Sequence, residues 1–209
     1  MPRTVTVDAA RLTRWVAGFG ERHGAYESAS TATGFTVRAA DGESADVVLP
    51  YLPWAGSGVD DAAAHLVAPR RTAVLIVRRG GYACAVVEGG EVTASKIGSR
   101  YVQGRTAAGG WSQQRFARRR EKQTGELAGS AAEVAARVLL PVLGHVPAGT
   151  SVWVATGGDK PLIERVLADP RLRALATLPR GPHLAVGDPD RTLVRALPGL
   201  LTTVHIHLP

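Results

Sequence analysis

Apolar residues along this chain recur at two spacings, and those spacings predict most of its elements. Near the start, Leu12, Trp15, Val16 and Phe19 repeat at the i, i+3, i+4, i+7 interval of an amphipathic helix. Asp8 stands ahead of that stripe as a cap, and Gly20 and Gly24 bracket its end. Two runs then follow, Gly34–Ala39 and Ala45–Leu49, joined by Asp41-Gly42, and this pattern predicts a hairpin. The stretch 50–69 is rich in Pro, Gly and Ala and predicts a crossing segment with a short helix around Asp61–Leu66. Thr72–Val77 is a continuous apolar run suited to a central buried strand. Gly80-Gly81 and Gly89-Gly90 turn into Tyr82–Val87 and Glu91–Ile97, which completes a three-stranded meander.

Periodicity stops over 98–111, where four glycines predict a loop longer than ordinary connections, a length common in functional or disordered segments. Ser112–Lys122 reads as a polar, basic helix, and Ser130 with Glu133 forms a capping-box pair that opens a separate helix bearing Val134, Val138 and Val142. A strand over Ser151–Ala155 leads through Gly157, Gly158 and Asp159 to a helix from Pro161 to Ala168. Leu184–Val186 predicts a strand, Pro189–Leu197 a helix and Thr202–Leu208 a closing strand. The expected fold class is α/β, a mixed sheet flanked by helices. Residues 1–70 form an N-terminal annex of helix and hairpin, and 71–209 form the main domain.

Composition narrows the chemistry. The single cysteine, Cys84, excludes an internal disulfide and a thiolate metal cluster, and its strand-like apolar setting predicts an inert buried thiol. The first residues lack the apolar core of a signal peptide and no stretch is long enough to span a bilayer, so a cytoplasmic protein without a membrane partner is expected. The net charge of +7 is local: residues 100–122 carry seven basic side chains against one acid, Glu121, and the rest of the chain is close to neutral. Arg100, Arg105, Arg115, Arg118, Arg119, Arg120 and Lys122 therefore point to a polyanionic partner.

Between Glu91 and Glu121 there is no Asp, Glu, His or Cys, so this segment offers no ordinary side-chain base, thiol or carboxylate metal site. It offers instead backbone freedom at Gly109 and Gly110, the ring of Trp111, and the neutral amides of Gln113 and Gln114. An amide donates to a developing oxyanion, or holds a water, without titrating at neutral pH.

The string from Arg100-Tyr101-Val102-Gln103-Gly104-Arg105 through Gly109-Gly110-Trp111-Ser112-Gln113-Gln114-Arg115 to Arg118-Arg119-Arg120 resembles the actinobacterial and chloroflexi branch of the Vms-like release factors. These are relatives of the catalytic middle domain of eukaryotic class-one release factors. The resemblance is clearest over residues 72–209 and most specific at 100–122. It implies a release-factor catalytic-domain fold with a mixed sheet of RNase H-like topology. It also implies peptidyl-tRNA hydrolysis that frees nascent chains on stalled large ribosomal subunits, as part of ribosome quality control. Gly109 and Gly110 match the family's glycine pair and Ser112-Gln113 its Ser-Gln portion, with Trp111 as an extra residue between. Either Gln113, the better match, or Gln114 then holds the catalytic position. The implied partners are ribosomal RNA and peptidyl-tRNA, the protein acting as a monomer with no cofactor and no metal.

Plainer readings stand beside these. A charge run is usually a solvated face, and only the near absence of acids beside a glycine loop turns the 115–122 helix toward RNA. Trp111 is read as a stacking or docking residue because its neighbours are polar. Trp15 and Trp54 read as packing residues and Trp153 as core. His205 and His207 share a strand face without a third ligand, so an exposed face is expected. Thr156–Lys160 lacks the ending of a P-loop and reads as a strand-to-helix turn. Two other functions remain: a non-catalytic ribosome- or tRNA-binding protein, and a metal-independent tRNA endonuclease. A two-metal nuclease is disfavoured, because strands 72–97 hold only Glu88 and Glu91 as acids.

Overall fold

Two five-stranded sheets organise the chain, each with its own core. The computed structural model describes residues 3–99 and 111–209, and for 111–117 the backbone alone. In chain order the elements are β1 (Arg3–Val7), α1 (Leu12–His23), β2 (Tyr26–Thr31), β3 (Gly34–Ala39), β4 (Ser44–Val48), α2 (Val59–Val67), β5 (Arg70–Arg78), β6 (Gly81–Glu88) and β7 (Glu91–Ser99). There follow α3 (Trp111–Leu139), β8 (Ser151–Gly158), α4 (Lys160–Leu167), α5 (Arg173–Ala176), β9 (Arg180–Leu184), α6 (Arg191–Leu201) and β10 (Val204–Leu208).

The first unit comprises the residues through Pro69 together with Pro198–Pro209. Its sheet runs β1-β10-β4-β3-β2, every pair antiparallel. Phe35, Val37, Ala45, Val47, Val204 and Ile206 are buried while Arg38, Asp46, His205 and His207 are exposed, the alternation of a sheet covered on one face. Leu12, Val16 and Phe19 of α1 and Ala62 and Leu66 of α2 join the same core. The annex is thus larger than a helix and a hairpin. β2 was illegible because its run, Tyr-Glu-Ser-Ala-Ser-Thr, carries no apolar alternation; it is an edge strand and almost wholly exposed. The closing strand lies between β1 and β4, so residues 198–209 belong with this sheet and not with a 71–209 domain. Asp8 precedes a short 3₁₀ turn at Ala9–Arg11 rather than α1, and its side chain makes no capping bond.

The second unit, Arg70–Leu197, holds the sheet β7-β6-β5-β8-β9. β5, β6 and β7 are the expected antiparallel meander, and β8 and β9 extend it parallel to β5. Counted within the unit the order is 3-2-1-4-5, the mixed sheet that the RNase H-like expectation named. Ala73 to Val77 are fully buried, which is why β5 reads as an unbroken apolar run. Ala73, Leu75, Val77, Cys84 and Val86 pack in one cluster with Leu127, Ala131, Ala135 and Leu139 of α3. Arg71 ties the start of β5 to its surroundings. It donates from Nε and Nη2 to the Glu88 carboxylate at 2.8 and 2.9 Å, and from Nη1 to the carbonyls of Val142 and His145.

Several boundaries differ from expectation, among them β8, which runs on to Gly158, and α6, which runs on to Leu201. α3 is one continuous helix, without a break at Ser130, because its apolar positions from Leu127 onward keep to one buried stripe across Gly129 and Ser130. β7 extends to Ser99 and takes in Gly98, whose missing Cβ leaves room for the Tyr82 ring; a Cβ there would lie 2.3 Å from Tyr82 Cζ. β9 ends at Leu184, where a strand was expected to begin. Trp153 and Trp15 are half-buried and Trp54 is buried. The Trp153 indole donates to Ser151 Oγ at 2.9 Å.

Candidate functional site

Of the residues singled out from sequence, Arg100, Arg105, Gly109 and Gly110 lie outside the described residues, as does most of the expected 98–111 loop. What is described is the frame on either side. β7 leads to Ser99, and α3 starts at Trp111. Trp111, Gln113 and Gln114 thus occupy the first turn of α3, with Arg115 next, and Trp111 is a helix residue rather than part of a loop. Their side chains lie outside the described residues.

A 29-residue helix is roughly 43 Å long at 1.5 Å per residue. From Arg118 to Glu126 the residues are exposed or half-buried, and the buried run begins only at Leu127. The C-terminal half is therefore an anchor held by the sheet, and the described part of the N-terminal half is a stem facing solvent. Two glycines, Gly125 and Gly129, cost helix stability of about 1 kcal/mol each relative to alanine, and packing of the anchor carries the helix through them. The first turn carries no acid, so no carboxylate of its own offsets the positive end of the helix dipole.

On the stem, Arg118, Arg119 and Lys122 are exposed and Arg120 is half-buried. Positions 115, 118, 119 and 122 fall at the three- and four-residue spacing of one helix face. Glu121, the one acid of the 100–122 segment, pairs with Arg165 of α4. Among the described residues no carboxylate lies within ion-pair distance of Arg118, Arg119 or Lys122. Glu121 is already paired, and the stem presents a cationic stripe.

The site belongs to a family. A model of the Actinobacteria/chloroflexi VLRF1 release factor matches residues 70–207, from β5 into β10 and across the whole 100–122 string. This chain is a member of that release-factor family. Membership supports a release-factor-type role in translation. Among solved structures, an archaeal translation termination factor, aRF1, aligns with TM-score 0.35 and 19% identity over 62% of this chain. The aligned part is 32% of that factor's length, so this chain spans about a third of it. No curated protein matches by sequence.

Other groups flagged from sequence have structural roles. Cys84 is fully buried and burial pushes its thiol up to about 12. His205 and His207 are exposed on the sheet, with His207 Nδ1 2.8 Å from Thr4 Oγ1. Thr156–Lys160 is a strand-to-helix turn: Gly158 adopts φ 93°, the Asp159 N–H donates to the Val77 carbonyl, and the Asp159 carboxylate accepts from Leu162 N–H. Glu88 is held by Arg71. Lys96, Arg191 and Arg195 share a cleft that the sequence did not announce, since Lys96 stands nearly a hundred residues from the two arginines and no local spacing links them.

Among the described residues, no helix is long and apolar enough to cross a membrane.

Proposed function

We propose that this protein hydrolyses the ester of peptidyl-tRNA and frees nascent chains on stalled large ribosomal subunits, acting as a cytoplasmic monomer in ribosome quality control. One observation carries the reading. In a member of a release-factor family, a glycine pair directly precedes in sequence, and two neutral amides occupy by position, the first turn of a long helix whose described stem is cationic and acid-poor.

The chemistry follows from that arrangement. Arg115, Arg118, Arg119 and Lys122, with Arg100, Arg105 and Arg120, bring the helix end onto ribosomal RNA and the tRNA acceptor end through phosphate contacts. Gly109 and Gly110 let the main chain approach within a narrow RNA chamber, and Trp111 stacks or docks there. The Gln113 amide, or Gln114 in the alternative register, positions water or donates to the tetrahedral oxyanion. N–H groups at the start of α3 favour the same developing negative charge. The ribose hydroxyl beside the ester moves the proton, so no side-chain base is required.

Release of a labelled peptide from isolated large subunits carrying peptidyl-tRNA tests this, with the end of the tRNA product examined on a gel. Gln113→Ala is expected to slow release about 10²- to 10³-fold, the worth of one preorganised oxyanion donor, and Gln114→Ala less. Arg118→Ala with Arg119→Ala weakens binding instead and is overcome by higher protein concentration. Full release by the Gln113→Ala/Gln114→Ala double variant overturns the assignment of the glutamines, whereas no release by the unaltered protein while it still binds RNA leaves a non-catalytic RNA-binding protein. A shortened tRNA would instead indicate an endonuclease.

A further inference from the structure

A cleft of about 460 Å³ opens between β7 and α6, within the second unit. Its cations come from both walls, Lys96 from the strand and Arg191 and Arg195 from the helix, and no acid is among the described residues that line it. All three are exposed. The acids that precede α6 are engaged elsewhere: Asp190 Oδ1 accepts from Leu193 N–H at 2.7 Å, and Asp188 faces Arg78 at 3.7 Å. Among the described residues no carboxylate lies within ion-pair distance of Lys96, Arg191 or Arg195. Three cations left without counter-charges around one concave surface repel one another, and an anion in the cleft relieves that repulsion.

Geometry narrows the anion to a strand. Arg191 and Arg195 stand one helical turn apart, with Cβ atoms about 5–6 Å from each other, a step comparable to that between neighbouring phosphates of an extended single strand. β7 is an edge strand, bonded to β6 alone among the described residues, so its outer N–H groups are further donors along the same line. Val92, Ile97 and Val194 form an apolar lining against which sugars can lie, and among the described lining residues there is no aromatic ring to stack a base. Contacts of this kind hold a backbone and do not read sequence. β7 ends at Ser99, next in sequence to the arginine-rich segment 100–122.

We propose that the β7–α6 cleft is a second RNA-binding surface, gripping the sugar–phosphate backbone of a single RNA strand through Lys96, Arg191 and Arg195. The choice of RNA among polyanions rests on the release reading above; the cleft and its charge do not.

The test uses the full chain and single-stranded uridine and adenosine homopolymer RNAs, with binding measured over a series of salt concentrations. Removing up to three phosphate contacts in Lys96→Ala/Arg191→Ala/Arg195→Ala is expected to lower the log–log salt slope by about 2 and the affinity about tenfold or more, equally for both RNAs. The charge-preserving Lys96→Arg/Arg191→Lys/Arg195→Lys variant keeps slope and affinity, which separates lost charge from altered folding. Unchanged slope and affinity in the alanine variant overturn the proposal. So does an alanine variant that loses binding to polyglutamate while its RNA binding stays intact, which would assign the cleft to an acidic protein partner. The two readings fail separately. If the cleft is wrong, the glutamine effect on release persists; if the glutamines are not catalytic, the salt slope still reports on the cleft.

Discussion

Cys84 illustrates how position in the fold sets chemistry for a single side chain. It sits on β6, fully buried, and desolvation raises its thiol from an ordinary value of 9.0 to about 12. The thiolate is the nucleophile, so the native protein is expected to resist thiol-directed alkylation at neutral pH and to react on unfolding. The raised value also fixes a sign. The folded state holds this proton more tightly than the unfolded one, so its contribution to stability is complete below 9.0 and declines as pH rises from there toward about 12. Urea unfolding at pH values on either side of that window should show alkaline destabilisation that is smaller in Cys84→Ala. Equal slopes in the two proteins would refute the linkage. This residue was legible in the sequence because alternation with apolar neighbours announces burial. Gly98 was not: it looked like loop punctuation, and only the pairing of β7 with β6 reveals that the Tyr82 ring takes the space a Cβ would need.

Among the elements, those whose apolar spacing has a single period were readable, and those that depend on a distant partner were not. The meander β5–β6–β7 and the helices α1 and α4 announce themselves through spacing and turns. α3 did not, since Ser130 and Glu133 have the local form of a helix start while Leu127, Ala131, Ala135 and Leu139 continue one stripe against the sheet. Half of that helix is stem, so its anchoring bears directly on the candidate site. Arg71 helps to hold the far end, bridging Glu88 on β6 to the carbonyls of Val142 and His145, just beyond α3. Arg71→Met leaves a half-buried carboxylate and two carbonyls without their donor and is expected to cost about 2 kcal/mol, read as a lower urea midpoint at unchanged m-value. Glu88→Gln, which keeps an acceptor oxygen, should cost less. Equal stability of Arg71→Met and the parent would show that the network does not secure this end of the helix.

Over the whole chain, the division into units could not be read from sequence order, because the last strand returns to the first sheet. A reader moving along the chain places Thr202–Leu208 after the second unit, but β10 pairs with β1 on one side and β4 on the other. Val204 and Ile206 are fully buried in the first core. The charge distribution, in contrast, was legible at once, since it needs no pairing information: the arginine-rich segment stands out of an otherwise balanced chain. The interleaving makes a specific demand on the ends. Deleting residues 198–209 removes a central strand, leaves β1 without a neighbour, and exposes Phe35, Val37 and Val47, whereas the strands β5 to β9 lose no pairing partner. Hydrogen exchange on the truncated chain is expected to show protection lost across residues 34–48 and retained across 72–87. Peptide release by the same truncated chain then asks whether the first sheet contributes to the reaction at all. Protection retained in both regions would mean that the first core stands without its central strand, against the pairing seen here.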